Sequence, residues 1–274
     1  MADMFKDATA MLTRFSTITL QYTPVDFFGK TALTTKTMIV NAVADSANTA
    51  GDSTIYGHIS TWNTSAITNM NRLFSGKDTF NEDISRWDVS NVTNMVAMFQ
   101  GARVFNADIS NWDVSKVPNM GYMFNTAWAF NADISGWDVS KVTNMYQMFQ
   151  TAQVFNADIS KWDVSNVTEM RNMFYNAYLF DQNLRTWSVH SNVNLNSMFI
   201  NARAMHNRFG NITNLTSFGS SPTKFFFGKT AITNDNINTA LNAYENDPTS
   251  DSTYGIISTW NISAITDMSG LFQD

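Results

Sequence analysis

Two sets of aspartates recur at a constant interval. Asp88, Asp113, Asp138 and Asp163 form one column, and Asp83, Asp108, Asp133 and Asp158 form the other. Carboxylates stacked on one another repel, so each needs a donor or a cation. One chemistry is calcium held between turns, because Ca²⁺ takes about six to eight oxygen ligands. The glycine-rich spacing of calcium-binding β-helix repeats is absent, however. The other chemistry is local: each Asp accepts backbone N–H groups in its own turn, as Asx-turns do. The residues favour the local reading. A glycoside hydrolase would need one tuned acid and one tuned base, and a repeated column fits that poorly. His58, His190 and His206 lie far apart in sequence and share no column. They suggest neither a metal site nor a Ser-His-Asp triad. Phe27-Phe-Gly-Lys-Thr31 matches only the end of a P-loop, with Thr23-Pro24-Val25 where the upstream glycine belongs. Sequons such as Asn91-Val-Thr and Asn166-Val-Thr come with the repeat itself and carry little information. No catalytic, metal or cofactor residue is assigned.

Binding is a better prospect than catalysis. Positions that differ from copy to copy are not fixed by stacking. They include Tyr122, Trp128, Tyr146, Tyr175 and Tyr178. Exposed aromatics there suit a protein-binding patch; the alternative is that they pack laterally along a row of helices. The opposite face offers Arg86, Asn111, Gly136, Lys161 and Thr186, a mixed polar strip with no obvious ligand.

The element that must position these residues is a 25-residue repeat. Trp62, Trp87, Trp112, Trp137, Trp162 and Trp187 fall at that interval, and the units from Trp87 to Trp162 are close copies. A period of about 20–50 residues marks a stacked array. The expected architecture is a repeat solenoid of leucine-rich-repeat-like α/β type, with short parallel strands stacked with short helices and a helical N-terminal cap. In the unit at Trp87, Ile84, Trp87 and Val89 point inward from a strand and Asp88 points outward. Thr93 is the expected N-cap of a short helix carrying Met95, Met98, Phe99 and Ala102. Pro118 takes the place of this Thr in one unit, where a missing N–H costs little. One unit cannot bury its own Trp, Met and Phe, so its neighbours do, and the Trp column reads as the energetic spine.

The ends read differently. Residues 1–25 form an arm, with a helical face on Met4, Ala8, Met11, Leu12 and Phe15 and a strand pattern at Ile18, Leu20 and Tyr22. Residues 26–61 form a cap, with Thr34 or Thr35 as N-cap for a helix carrying Met38, Ile39, Ala42 and Val43. The solenoid is placed at 62–218, its last half unit at Ile212–Phe218, followed by a linker at 219–224. Residues 225–274 copy the cap and first half repeat: Phe227-Gly-Lys-Thr-Ala-Ile-Thr matches Phe28-Gly-Lys-Thr-Ala-Leu-Thr. An opening cap with nothing stacked after Phe272 leaves an apolar face. Three arrangements stay open: packing back on the array, packing on another chain, or continuation in a longer protein.

Composition narrows the partners. The chain of 274 residues is 44% apolar and 14% aromatic but only 15% charged, so a sizeable core is expected. A net charge of −6 and a pI near 4.9 argue against nucleic acid and anionic lipid as partners. There is no cysteine, hence no disulfide framework, thiolate metal site or thiol nucleophile. No run reaches the ~18 apolar residues of a membrane span, and Met1–Arg14 does not read as a secretory signal.

The motif Phe-Asn-x-Asp-Ile-Ser-x-Trp-Asp-Val-Ser-x-Val-Thr-Asn-Met-x-x-Met-Phe resembles the repeat of the BspA-like leucine-rich-repeat surface proteins, in the version also found in mycoplasma surface lipoproteins. It covers about residues 50–218, and the cap reappears at 225–274. The resemblance implies a solenoid displayed on a cell surface, with a role in adhesion or protein contact and no catalysis. The chain departs from that family in having no lipobox cysteine and no visible signal. The expected function is a non-enzymatic recognition module for another macromolecule. The alternative is a structural subunit of a filament or virion, using the arm and the C-terminal cap copy for inter-chain contacts.

Overall fold

A computed structural model describes residues 33–48, 52–53, 57–208, 237–246 and 266, with backbone alone for 45–48, 52–53 and 243–246. The arm at 1–25, Phe27–Thr31, the half unit at 212–218, the linker and most of the C-terminal copy lie outside these residues.

Helix α1 (Lys36–Asn48) begins where the sequence provides a cap: Thr35 Oγ1 accepts the Met38 N–H at 3.2 Å. Ile39, Ala42 and Val43 lie on its buried face. Strands β1 (Asp52–Ser53) and β2 (Gly57–His58) pair antiparallel, and Gly57, opposite Ser53, takes φ 70°, a backbone conformation open to glycine. A single 3₁₀ turn, Ile59–Thr61, then delivers Trp62 to the first unit. The Trp62 indole N–H donates to the Gly57 carbonyl at 3.0 Å, and Leu33 N–H donates to the Asn63 carbonyl at 3.1 Å. At the other end of the repeats, helix α2 (Arg203–Arg208) sends Arg208 back to the Asp181 carbonyl at 2.8 Å. Helix α3 (Ile237–Asn246) buries Ile237, Ala240 and Leu241.

Between α1 and α2 the units lie in sequence order, each bonded to the next. The helix expected over Met95–Ala102 is not formed. In its place is a run of turns in which alternate N–H groups have different destinations. Met98, Gln100 and Ala102 donate three residues back, to Met95, Ala97 and Phe99 at 3.0–3.2 Å. Ala97, Phe99 and Gly101 donate to Gly121, Met123 and Asn125 of the next unit at 2.8–2.9 Å. Beyond its first turn a helix would use these N–H groups internally and leave Phe99 and Gly101 none to join the units. The expected strand at Ile84–Val89 is also corrected. Ile84, Trp87 and Val89 are buried and Asp88 exposed, as the alternation requires, but the segment makes turn bonds such as Trp87 N–H to Ile84 O. Parallel pairing occurs instead as isolated bridges, Asn69 with Asn94, Asn119 with Asn144, Asn144 with Glu169 and Glu169 with Asn194. Pro118 therefore does cost a bond. Thr93, Thr143 and Thr168 each donate to the residue 25 positions earlier, and Pro118 has no N–H to do so.

The turn run needs left-handed residues at two places per unit. Ala97, Tyr122, Gln147, Asn172 and Ser197 share one column, while Gly76, Gly101, Thr126, Thr151, Asn176 and Asn201 share the other. Thr126 and Thr151, both at φ 58°, are the strained members, because a β-branched side chain rarely adopts this region. Thr126→Asn is expected to raise stability by about 0.5–1 kcal/mol, seen as a higher urea midpoint. A lower midpoint would mean that the Thr126 Oγ1 bond to the Asn125 carbonyl, at 2.7 Å, outweighs the relief of strain.

One apolar cluster runs through all the units and includes the six Trp of the column. The Trp rings do not make its closest contacts. In five successive units two Phe rings stack at 3.8–4.0 Å, as in Phe99–Phe105 and Phe124–Phe130. Each also stacks on its equivalent in the next unit: Phe99–Phe124 at 5.6 Å and Phe105–Phe130 at 6.0 Å. The spine is thus a double column of phenylalanines, with the Trp rings flanking it. Each Trp has a second task. From Trp87 on, the indole N–H crosses to the preceding turn of chain, as in Trp137 to the Ile109 carbonyl at 3.1 Å and Trp162 to the Ile134 carbonyl at 3.1 Å. An asparagine ladder adds another tie. Asn81, Asn106 and Asn131 each accept the backbone N–H of the residue 25 positions on, at 2.7 Å.

Candidate interaction surface

The aspartate columns are occupied by their own turns. The N–H groups of Ser85, Ser90, Ser110, Ser115, Ser135, Ser140, Ser160 and Ser165 each donate to the Asp two residues earlier at 2.9–3.0 Å. Several hydroxyls add a second bond, such as Ser90 to Asp88 at 2.6 Å. These Ser hydroxyl and N–H bonds hold the carboxyls of Asp83, Asp88, Asp113, Asp138 and Asp163 below their ordinary value of 3.8. In Asp108 and Asp133 the backbone N–H is the larger cause and the hydroxyl the second.

A depressed native pKa makes the unfolded chain take up protons first as pH falls. The contribution of these turns is therefore complete above the unfolded value near 3.8 and is lost as pH drops through the lower native values. Urea midpoints should be level between about pH 7 and 5 and fall below about pH 4. A fall confined to the range above pH 5 would contradict this assignment.

The histidines remain apart. His58 Nδ1 lies 2.8 Å from Ser60 Oγ, His190 Nδ1 accepts the Asn192 N–H at 3.1 Å, and His206 lies on α2. Among the described residues no three His, Asp or Glu side chains gather to hold a metal ion. No helix among them is long and apolar enough to cross a membrane.

The variable aromatics divide into two groups, both on the turn run. Tyr122 and Tyr146 meet edge to face at 4.9 Å, and the Arg171 guanidinium lies 4.6 Å over Tyr146. Tyr146 Oη accepts from Gln147 Nε2 at 2.9 Å. Burial, then the neighbouring Tyr146, pushes the Tyr122 phenol up. The second group is a single column, Asp78, Arg103, Trp128, Gln153, Tyr178 and Arg203. Arg103 lies 4.5 Å over Trp128 and 3.6 Å from the Asp78 carboxylate. Arg203 lies 4.9 Å over Tyr178. Tyr175 is half-buried in another column and joins neither group. Lateral packing therefore accounts for part of the aromatic set, while Trp128 keeps 39% of its surface open.

A model of the family described as Mycoplasma protein of unknown function, DUF285, matches residues 41–145, 109–212 and 238–274, well over half of the chain. The chain belongs to the DUF285 family. The first DUF285 match begins within α1 and the third within α3, so both begin on a helix. No curated protein and no solved structure matches the chain.

Inside the DUF285 repeats, the column beside Trp128 holds residues that the sequence reading passed over. Val104, Val154 and Leu179 are 46%, 38% and 54% exposed, and half-buried Ala129 and Ala204 share their column. The signal was available. This position is apolar in five successive units, yet it lies between Ala102 and Phe105, both of which point inward. The result is a two-column strip, one column apolar from Val104 to Ala204 and the other carrying two Arg–aromatic pairs, Arg103 with Trp128 and Tyr178 with Arg203.

Proposed function

We propose that this chain is a leucine-rich-repeat-like solenoid of the BspA-like surface type, non-enzymatic, that recognises another protein by contact. The observation that carries this reading is the exposed strip of Val104, Trp128, Val154 and Leu179 flanked by Arg103 and Arg203. Large apolar side chains left open in register, where the same fold buries every neighbouring Met and Phe, are expensive to display without a use. Arg and aromatic side chains are also the types enriched where protein interfaces bind most strongly. The engagement of the Asp columns by serine turns supports a role without catalysis. The arm and most of the C-terminal copy, which the assembly alternative would use, lie outside the described residues.

The test is binding of the purified chain to a panel of immobilised extracellular-matrix proteins and to whole host cells. Trp128→Ser with Leu179→Ser should abolish binding and leave the melting temperature within a few degrees. Equal binding by this double variant would refute the strip as the recognition surface.

A further inference from the structure

We propose that the strip pairs with the same strip on a second copy of this chain, antiparallel, about a two-fold axis between the Trp128 and Gln153 units. The proposal rests on reading the strip as a contact surface, and names its partner. A two-fold axis lying in the interface, perpendicular to the strip, places each column against itself in reverse order. The column Asp78, Arg103, Trp128, Gln153, Tyr178, Arg203 then meets its own reversal. Asp78 faces the second copy's Arg203, giving an ion pair of opposite charge twice per dimer. Arg103 faces Tyr178, a cation over an aromatic ring. Trp128 faces Gln153, whose amide has an exposed indole to cover.

The neighbouring column is complementary under the same operation. Val104 faces Leu179 and Ala129 faces Val154, a large exposed side chain against a large one and a small one against a medium one. Among the described residues of the repeats, all four large exposed hydrophobic side chains belong to this strip: Val104, Trp128, Val154 and Leu179. The guanidiniums are already oriented, since Arg103 is held between Asp78 and Trp128 and Arg203 lies over Tyr178. Little side-chain freedom remains to be lost on pairing. Any other register breaks the match. Sliding one copy by one unit, for example, sets Arg103 against the second copy's Arg203. The strip is six units long, five steps of about 4.8 Å or roughly 24 Å. An interface of that size is small, so association no tighter than about micromolar is expected.

The chain has no cysteine, which makes the register directly testable. Two variants are prepared separately, Val104→Cys and Leu179→Cys, both at exposed positions. In the proposed dimer residue 104 lies opposite residue 179. Residue 104 is about three units, or ~14 Å, from its own copy, too far for a disulfide. Mild oxidation of the mixture should give a covalent dimer carrying one of each variant, and neither variant alone should dimerise. Cross-linking of either variant with itself would overturn the register, and no cross-linking in the mixture would overturn the pairing. Sedimentation equilibrium provides a second readout free of oxidation. Arg203→Glu should weaken dimerisation at least ten-fold, and adding Asp78→Arg should restore it. Failure of that rescue would overturn the pairing. A monomeric chain whose matrix binding still depends on Leu179 would overturn the dimer but leave the contact reading intact; loss of both would remove both.

Discussion

Phe124→Ala is expected to destabilise the chain by about 4 kcal/mol. Phe124 is fully buried at the middle of the double column, stacked at 3.8 Å on Phe130 in its own unit, 5.6 Å from Phe99 before it and 5.6 Å from Phe149 after it. Truncation leaves a cavity bordered by three rings that are held in place by their own stacks, so collapse is limited and the cavity cost is retained. Chemical denaturation gives the value. A cost of only about 1 kcal/mol would argue against a column whose rings are too firmly stacked to close over the gap.

The second large effect is at Trp137. Its ring is buried and lies 6.2 Å from Phe124, and its N–H holds the Ile109 carbonyl of the previous unit. Trp137→Ala removes both and should cost about 3–5 kcal/mol. Trp137→Phe separates the two contributions, because it keeps most of the apolar volume and drops the donor. It should cost about 0.5–1.5 kcal/mol, the net loss of one hydrogen bond, since the Ile109 carbonyl keeps the Trp112 N–H at 3.2 Å. A Trp137→Phe variant as stable as the wild type would mean that the indole N–H is no tie between units and that the column conserves ring area alone.

Much of this organisation was legible in the residues. The 25-residue interval, the inward set of Ile84, Trp87 and Val89, the cap at Thr35 and the Asx-turns at the Asp columns all follow from spacing and residue type. The turn run was not legible, for a physical reason. Met95, Met98, Phe99 and Ala102 return to one face after three, four and seven residues, the period of a helix. Consecutive three-residue turns return to one face at nearly the same interval, so apolar spacing cannot separate the two. What separates them is the left-handed backbone at 97 and 101. A hint lay in one column, where Gly76, Gly101, Asn176 and Asn201 are types that accept that conformation. Its partner column, with Ala97, Tyr122 and Gln147, gave none. The surface was half legible. Trp128 and Tyr178 stood out by varying between copies, but Tyr122 and Tyr146 vary too and are held largely by each other and Arg171. Val104, Val154 and Leu179 escaped notice because an apolar residue in every unit reads as core until its neighbours' directions are known.

All of these effects depend on units of 25 residues that complete one another edge to edge. The most direct measurement removes one unit. Deleting residues 116–140 joins Ser115 to Lys141 and leaves every column in register, whereas deleting residues 116–139 shifts every later column by one position. Urea denaturation followed by Trp fluorescence should show the first deletion folded, with buried indoles, one cooperative transition and a modestly lower midpoint. The second should lose that transition. If the two deletions unfold alike, whether both intact or both collapsed, the units do not close on one another as described.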